Sequence, residues 1–389
     1  MHAVIFEVQP KSDRKEEYFD IAESIRGDLE KIDGFISIER FNSTVNEGKI
    51  LSLSFWETES AIEEFMTRPS KALIDDLAEL EGDIMILGVG GKMGPTLARL
   101  AKRAAPNKTV FGVARFTETG LQQKIEAWGI KTVKADLLDT VALNNLPKPK
   151  NIVFMAGRKF GSTGSEELTW AANVLCPALV AEAFRDQRVV VFSTACVYPF
   201  VPVASGGAKE DLSLDPPGEY AQSCVGRERM FQYFSNKYGT PGCLIRLSYA
   251  IDLRYGVLFD VGDAVFRGNE IDVSTGYANV IWQGDANTQI LRALRHCGVP
   301  STPLNISGAE ATSIRRVAEA FGKRFDKTPK ITGSEATTAW LVNTEKASEL
   351  FGEVKVPVDL MIDWIANWIM NGGRSLGKPT HFEARDGAY

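Results

Sequence analysis

The amino-acid sequence predicts an α/β protein: a doubly wound parallel sheet with a smaller C-terminal subdomain, preceded by a compact α+β module. Three observations predict it. From Asp83 onward, short apolar runs alternate with amphipathic helical runs, the pattern of a parallel sheet with crossover helices. The first apolar run ends in a glycine-rich turn, "GVGGKMG", that opens directly into a helix. Before Asp83 the order differs: strand, helix, strand, strand, helix.

The N-terminal segment starts with the short apolar strand "AVIFEV". In "RKEEYFDIAESIRGDLEKI", Tyr18, Ile21, Ile25, Leu29 and Ile32 recur at the spacing of one helical face, and Gly34 stops the helix. "FISIERFN" and "KILSLSFW" alternate as strands packed on one side. "TESAIEEF" opens a second helix, with Thr58 as N-cap and Glu59, Glu63 and Glu64 near its positive end. Through "DGFISIERF" and "LSLSFWETESAIEEF", residues 1–65 resemble the antibiotic-biosynthesis-monooxygenase-like family of dimeric α/β barrels. The resemblance implies a ferredoxin-like unit that pairs with a second copy, so a homodimer is expected. That family closes with another strand after the second helix. Here a helical linker, residues 66–82, runs straight into the next domain. A dimerisation module is therefore the expectation, and cofactor-independent oxygenation by this module the alternative.

Bulk properties narrow the class. The 389 residues exceed what one core supports. Hydrophobic residues make up 44% and charged residues 24%, ordinary for a soluble globular chain. A net charge of −6 argues against a nucleic-acid or membrane-surface binder, which needs a basic footprint. Cys176, Cys196, Cys224, Cys243 and Cys297 form no CxxC pair and read as reduced thiols of a cytoplasmic protein. Of three histidines, His2 and His381 lie near the ends, so no metal site is expected. No signal peptide is expected, and no apolar run approaches the ~20 residues a membrane helix needs.

Strands are expected at 83–87, 109–114, 131–135, 151–156, 188–193 and 243–248, with a return strand at 303–307. Residues 83–250 then form a dinucleotide-binding domain. Residues 251–302 and 308–389 form the substrate-binding region. Gly88, Gly91 and Gly94 lie three and three apart, with Lys92 and Met93 between the last two. Backbone without Cβ approaches a pyrophosphate closely, and the helix N-terminus offers free N–H groups and a positive dipole end. Pro95 suits the first helical turn, where its missing N–H costs little.

This spacing matches the GxxGxxG of the short-chain dehydrogenase/reductase superfamily. With the downstream motifs, residues 83–370 resemble its extended branch, the NAD-dependent epimerase/dehydratase family, a Rossmann-type fold. "VKADLLD" places Asp136 and Leu137 at the adenine-contacting positions, and "FMAG" places Met155, Ala156 and Gly157 along the cofactor. Asn173 matches the family's helical asparagine, Thr194 in "FSTACVY" its acid/base-assisting hydroxyl, and Tyr220 in "YAQSCVGRE" its acid/base tyrosine. The resemblance implies NAD or NADP as cofactor. Arg115 stands at the tip of the second strand, where an acid would grip the NAD ribose; a guanidinium there suits the NADP phosphate or stacks on adenine.

One residue departs from the pattern. The family's lysine, four residues after the tyrosine, is Cys224. A free tyrosine has a pKa of ~10, too high for an efficient base at neutral pH. The lysine's charge corrects this; a neutral thiol does not. Three readings follow. Lys159, after the fourth strand, substitutes as the cation, whereas Arg227, two turns beyond Tyr220, is expected to lie too far away. Cys224 is itself a thiolate, which needs a positive local field. Or the chain is a catalytically silent NAD(P)-binding sensor. The first is preferred: an NAD(P)-dependent epimerase, dehydratase or dehydrogenase acting on a sugar, nucleotide sugar or polyol through a keto intermediate. Arg158, Arg254 and Tyr255 are the candidate substrate contacts, Arg158 and Lys159 as a cation pair for a carboxylate or phosphate. The turn-rich loop at 203–219 is either a lid or a surface loop, and the polar tail "GKPTHFEARDGAY" has no assignment.

Overall fold

The computed structural model describes residues 2–8, 35–42, 50–56, 59–159, 161, 164–378 and 380–387. The helix expected at 14–32, its Gly34 stop and the Thr58 cap lie outside the described residues. Strands β1 (His2–Val8), β2 (Phe35–Asn42) and β3 (Ile50–Trp56) pair antiparallel in the order β1-β3-β2. Helix α1 (Glu59–Met66) follows, then α2 (Lys71–Glu79), whose N-cap Ser70 accepts the Leu73 N–H through Oγ at 3.2 Å.

Two expected boundaries move. A border after residue 65 would cut α1, whose Ile62 and Met66 are buried in the C-terminal core. Phe65 meets Trp282 and Trp364 at ring separations of 5.9 and 5.3 Å. Residues 66–82 are no loose linker either. Their amphipathic helix α2 buries Leu73 and Leu77 completely, because these face the main core.

The main sheet contains every expected strand. These are β4 (Ile84–Leu87), β5 (Val110–Ala114), β6 (Lys131–Lys134), β7 (Asn151–Phe154), β8 (Arg188–Thr194) and β9 (Gly242–Leu247). After the short strands β10 (Tyr249–Ile251) and β11 (Val280–Trp282), the return strand β12 (Thr302–Ile306) joins the edge. The order is β12-β9-β8-β7-β4-β5-β6, all parallel. Leu87 of β4 stands between Val113 and Phe154. The chain reverses direction of travel there, so a crevice opens beyond the carboxyl ends of β4 and β7.

Helices α3 (Gly94–Ala104) and α4 (Leu121–Ala127) follow β4 and β5. The crossover helix between β7 and β8 is interrupted: α5 (Glu166–Trp170), a π turn (Ala171–Leu175), then α6 (Cys176–Ala183). Helix α7 (Glu219–Tyr238) carries Tyr220. A second core gathers α8 (Val257–Arg267), α10 (Ile314–Phe325) and α11 (Val358–Met370), with α9 (Gln283–Arg292) on the main core. Among the described residues no helix is long and apolar enough to cross a membrane, and no cluster of three or more His, Cys, Asp or Glu is arranged to hold a metal.

Helix α7 has a weak apolar stripe and is fixed by polar contacts instead. Glu228 pairs with Arg246 of β9 at 2.8 Å, with side-chain exposures of 0% and 4%. Ser193 of β8 donates to Glu228 at 2.6 Å. Arg246 also donates to the Tyr198 hydroxyl at 2.7 Å, which donates to Asn305 at 2.8 Å. Removing one partner leaves the other buried and unpaired. Arg246→Met is expected to cost roughly 3–5 kcal/mol in denaturant unfolding; a loss under about 1 kcal/mol would mean that water or another group satisfies Glu228.

Candidate active site

The glycine turn is built by contact as well as conformation. Gly88 has φ +93°, and a Cβ there would sit 2.6 Å from the Ala156 nitrogen. Any side chain at Gly94 would overlap the Val89 carbonyl. Both positions require glycine, and together they bring the N-terminus of α3 beside the end of β7. Gly91 is different: the nearest atom to a Cβ there is 3.6 Å away, so its face stays open to the crevice. Lys92 reaches from this turn across the crevice. Its Nζ donates to the Ala250 carbonyl at 2.8 Å and lies 4.3 Å from the centre of the Tyr255 ring. Burial pushes its amine down to about 7; Asp252 pulls upward and Arg254 opposes.

A cavity of about 290 Å³ occupies the crevice. The glycine turn lines one side through Gly91, Lys92 and Met93. The segment after β7 adds Met155, Gly157, Arg158 and Lys159. Thr194 at the end of β8, Tyr220 of α7 and Tyr255 also line it, whereas Gly88, Gly94, Arg115, Asp136, Leu137, Ala156, Cys224 and Arg254 do not. Residues spread over more than 160 positions of sequence therefore face one space.

Asn173 holds this corner together. Its Oδ1 accepts the Arg158 N–H at 2.8 Å and Arg227 Nη2 at 2.7 Å. Its Nδ2 donates to the Arg158 carbonyl at 2.8 Å and to Ser223 Oγ at 3.0 Å. One buried amide thus ties the segment after β7 to α7. It sits in the π turn, the type of helix defect that recurs at functional sites.

Around Tyr220 the charges are arranged unusually. Cys224 is fully buried and shares a side-chain hydrogen bond with Tyr220. Burial pushes the Cys224 thiol up, with the Arg227 charge opposing. Burial therefore works against the thiolate reading. Burial also pushes Tyr220 well above its usual value, and the Cys224 and Cys196 thiols push the same way. Lys159 lies with Nζ 6.0 Å from the centre of the Tyr220 ring. Burial lowers its pKa, while Cys196, Cys224, Asp260 and Glu383 favour its charged form. Arg227, expected to lie too far away, lines the cavity, donates to the Phe192 carbonyl at 2.8 Å and opposes the upward shift of Tyr220.

Other expectations resolve individually. Arg254 is no free ligand contact: it grips Asp252 with Nε and Nη2 at 3.0 and 2.9 Å and reaches Glu63 at 3.7 Å. A guanidinium so committed serves the fold. The Leu137 side chain is buried in the core, leaving only its backbone to face a ligand, and Ala156 packs over Gly88. Asp136 is exposed and accepts the Leu138 N–H at 3.0 Å; Arg115 is exposed at the end of β5. The loop at 203–219 is no free lid, since Ala208 donates to Leu341 at 2.8 Å and accepts from Asn343 at 2.9 Å. Cys196, Tyr249 and Trp340 also line the cavity. Cys196 and Tyr249 follow recognisable strand ends, whereas nothing near Trp340 in the sequence signals its position.

The chain matches known proteins in two separate parts. Residues 84–251 match the NAD dependent epimerase/dehydratase family, and residues 1–70 match antibiotic biosynthesis monooxygenase. The N-terminal part is 45% identical over 67 residues to jasmonate monooxygenase from Pyricularia oryzae, covering 17% of this chain and 31% of that protein. The chain thus spans about a third of that curated relative. The fold resembles dTDP-glucose 4,6-dehydratase from Bacillus anthracis, solved with NAD (TM-score 0.64, 16% identity, 74% of this chain and 96% of that one). It also resembles UDP-glucose 4-epimerase from Thermus thermophilus, solved with NAD (TM-score 0.62, 18% identity, 73% of this chain and 98% of that one). Residues 84–251 therefore belong to the NAD-dependent epimerase/dehydratase family, and an antibiotic-biosynthesis-monooxygenase domain precedes them.

Proposed function

We propose that the protein is an NAD- or NADP-dependent epimerase, dehydratase or dehydrogenase acting on a sugar, nucleotide sugar or related polyol through a keto intermediate. The observation that carries this reading is that Tyr220, Thr194 and Lys159 share one cavity with the open face of the glycine turn. The turn fits a dinucleotide: Gly91 leaves room for a pyrophosphate, the α3 N-terminus faces it, and Lys92 supplies an amine. A nicotinamide bound there would supply the hydride acceptor or donor of the reaction. The neighbours solved with NAD and named for nucleotide sugars support the cofactor and the substrate class.

Tyr220 takes or returns the proton of the substrate hydroxyl, and Thr194 orients that hydroxyl. Arg227 opposes the upward shift of Tyr220, and Lys159, with Nζ 6.0 Å from the centre of the Tyr220 ring, adds a second positive charge that favours the phenolate. Together they take over the missing lysine's electrostatic role. Arg158 faces an anionic group of the substrate, and Tyr255 a hydroxyl.

The N-terminal domain we assign to dimerisation. Its identity to a monooxygenase supports oxygenation as the second reading. Because α1 is packed into the main body, the informative deletion ends at residue 56 rather than 65. Deleting residues 1–56 is expected to yield monomers that keep cofactor affinity, by light scattering and calorimetry. Retained dimers would remove the dimerisation assignment.

Calorimetric titration with NAD⁺, NADH, NADP⁺ and NADPH is expected to give micromolar binding of one pair. Tyr220→Phe should leave that affinity within about threefold, a change under 1 kcal/mol, while abolishing hydride transfer from a panel of nucleotide sugars to the oxidised cofactor, followed at the nicotinamide absorbance. A wild-type chain that binds cofactor but takes hydride from none of them, with Tyr220→Phe indistinguishable, would instead favour the silent sensor.

Lys92 adds a proton signature. A pyrophosphate beside it raises its pKa above the free value of about 7. At pH 8 binding should therefore take up a proton, whereas at pH 6 the amine is already charged and uptake should vanish. Affinity should fall as pH rises through this window. Titrations in buffers of different ionisation enthalpy test it; uptake that persists in Lys92→Met would assign the proton elsewhere.

A further inference from the structure

The polar tail returns to the site. Thr380 is 1% exposed, and both its N–H and its hydroxyl donate to Asp260 of α8, at 2.8 and 2.5 Å. Phe382 is buried in the C-terminal core, and the Glu383 carbonyl accepts from Thr275 at 3.2 Å. Arg385 donates to the carbonyl and hydroxyl of Thr338 at 2.9 and 2.8 Å, with its guanidinium 4.1 Å from the Phe200 ring. Phe200 in turn stacks on Trp340 of the cavity wall at 4.3 Å. Gly387 lies against Gly218, the residue before the Tyr220 helix, where a Cβ would stand 2.7 Å from the Gly387 carbonyl. The strap is thus fastened at several separate places, and only Phe382 among these anchors fills core.

Its inner edge meets Lys159, whose Nζ donates to the Thr380 carbonyl at 3.4 Å. We propose that the C-terminal segment, residues 380–387, is a positioning element of the active site, holding the Lys159 ammonium beside Tyr220 and Cys224, where the Tyr220 helix carries a cysteine in the family's lysine position. This rests on Lys159 being the working cation. A lysine in the family's place would be fixed by its helix. Lys159 stands in a connecting segment on a flexible four-carbon stem, and such a group needs supporting contacts to hold a productive geometry. The strap supplies a carbonyl acceptor, the Glu383 charge, and Thr380, which orients Asp260. The groups that act on Lys159 are Tyr220 and Cys224 from α7, Cys196 after β8, Asp260 from α8 and Glu383 from the strap. The two carboxylates oppose the desolvation that would otherwise discharge the amine.

The test is peptide-resolved acetylation of lysines in the full chain between pH 6 and 10. Releasing the strap with Asp260→Ala plus Arg385→Ala is expected to speed Lys159 acetylation at least tenfold and move its titration midpoint to lower pH. Exposed Lys209 serves as the unchanged reference. Asp260→Asn alone keeps an acceptor for Thr380 and should retain the slow rate. Should the double variant not fold, a chain ending at Gly377 serves the same comparison. Lys159 labelling at the wild-type rate and midpoint in a folded, strap-released variant would overturn the proposal. Failure of the underlying reading shows separately: Lys159→Met would then leave the pH profile of hydride transfer unchanged, whatever the labelling gives.

Discussion

The buried pair of Glu228 and Arg246 is the interaction on which the site depends. Tyr220 lies two turns before Glu228 on α7, so the pair sets where that helix sits against β8 and β9. Ser193 bonds the same carboxylate one residue before Thr194. Tyr198 and Asn305 extend the network to the edge strand β12. A buried ion pair contributes little net stability over an apolar pair of the same shape. It does impose one register. An apolar contact would let α7 slide by fractions of an ångström; a carboxylate that must meet a guanidinium and a hydroxyl together does not.

Given that register, the electrostatics of the site follow from one substitution. A lysine at position 224 would place its charge against Tyr220 from within the same helix. The cysteine there is buried and hydrogen-bonded to the tyrosine, it brings no positive charge, and burial pushes the phenol in the wrong direction for a base. Compensation has to come from elsewhere in the fold. Arg227 approaches from the next turn of α7, and Lys159 from the opposite wall, beyond β7. On the proposed function the cation would stand in a connecting segment rather than on the helix, and that segment is clamped by Asn173 at its base and by Thr380 at the lysine itself.

The sequence conveyed what repeats locally. Each strand of the main sheet shows as an apolar run, and the glycine turn shows through its spacing and its place between strand and helix. Tyr220, Thr194 and Lys159 were legible because each follows a motif or a strand end. Arg254 misled, since a basic residue beside a tyrosine reads as a ligand contact, and its partners Asp252 and Glu63 become visible only after folding. Arg227 was dismissed on axial distance alone, although a long guanidinium side chain reaches back along its helix toward Gly157. Trp340 and Thr380 carry no local signal, because their positions depend on how the C-terminal region wraps.

The N-terminal domain is joined to this chemistry more closely than a tethered module would be. Glu64 of α1 pairs with Arg99 and Arg103 of α3, both at 2.7 Å, and α3 is the helix that the glycine turn opens. Glu63 pairs with Lys124 at 2.6 Å and approaches Arg254, which grips Asp252. Asp252 in turn favours the charged form of Lys92 in the turn itself. Of the two glutamates that close the N-terminal domain's sequence pattern, half-exposed Glu64 thus pairs with the cofactor-side helix and buried Glu63 with Lys124 and Arg254. Exposed ion pairs of this kind are worth little singly, but Glu63 is nearly buried and its partner Arg254 is too. Neutralising Glu63 would remove one carboxylate from beside Arg254 and so alter the balance of charge at Lys92. Helix α1 is therefore part of the main body, its apolar face in the C-terminal core and its glutamates paired toward the dinucleotide domain, although its sequence belongs to the domain before it.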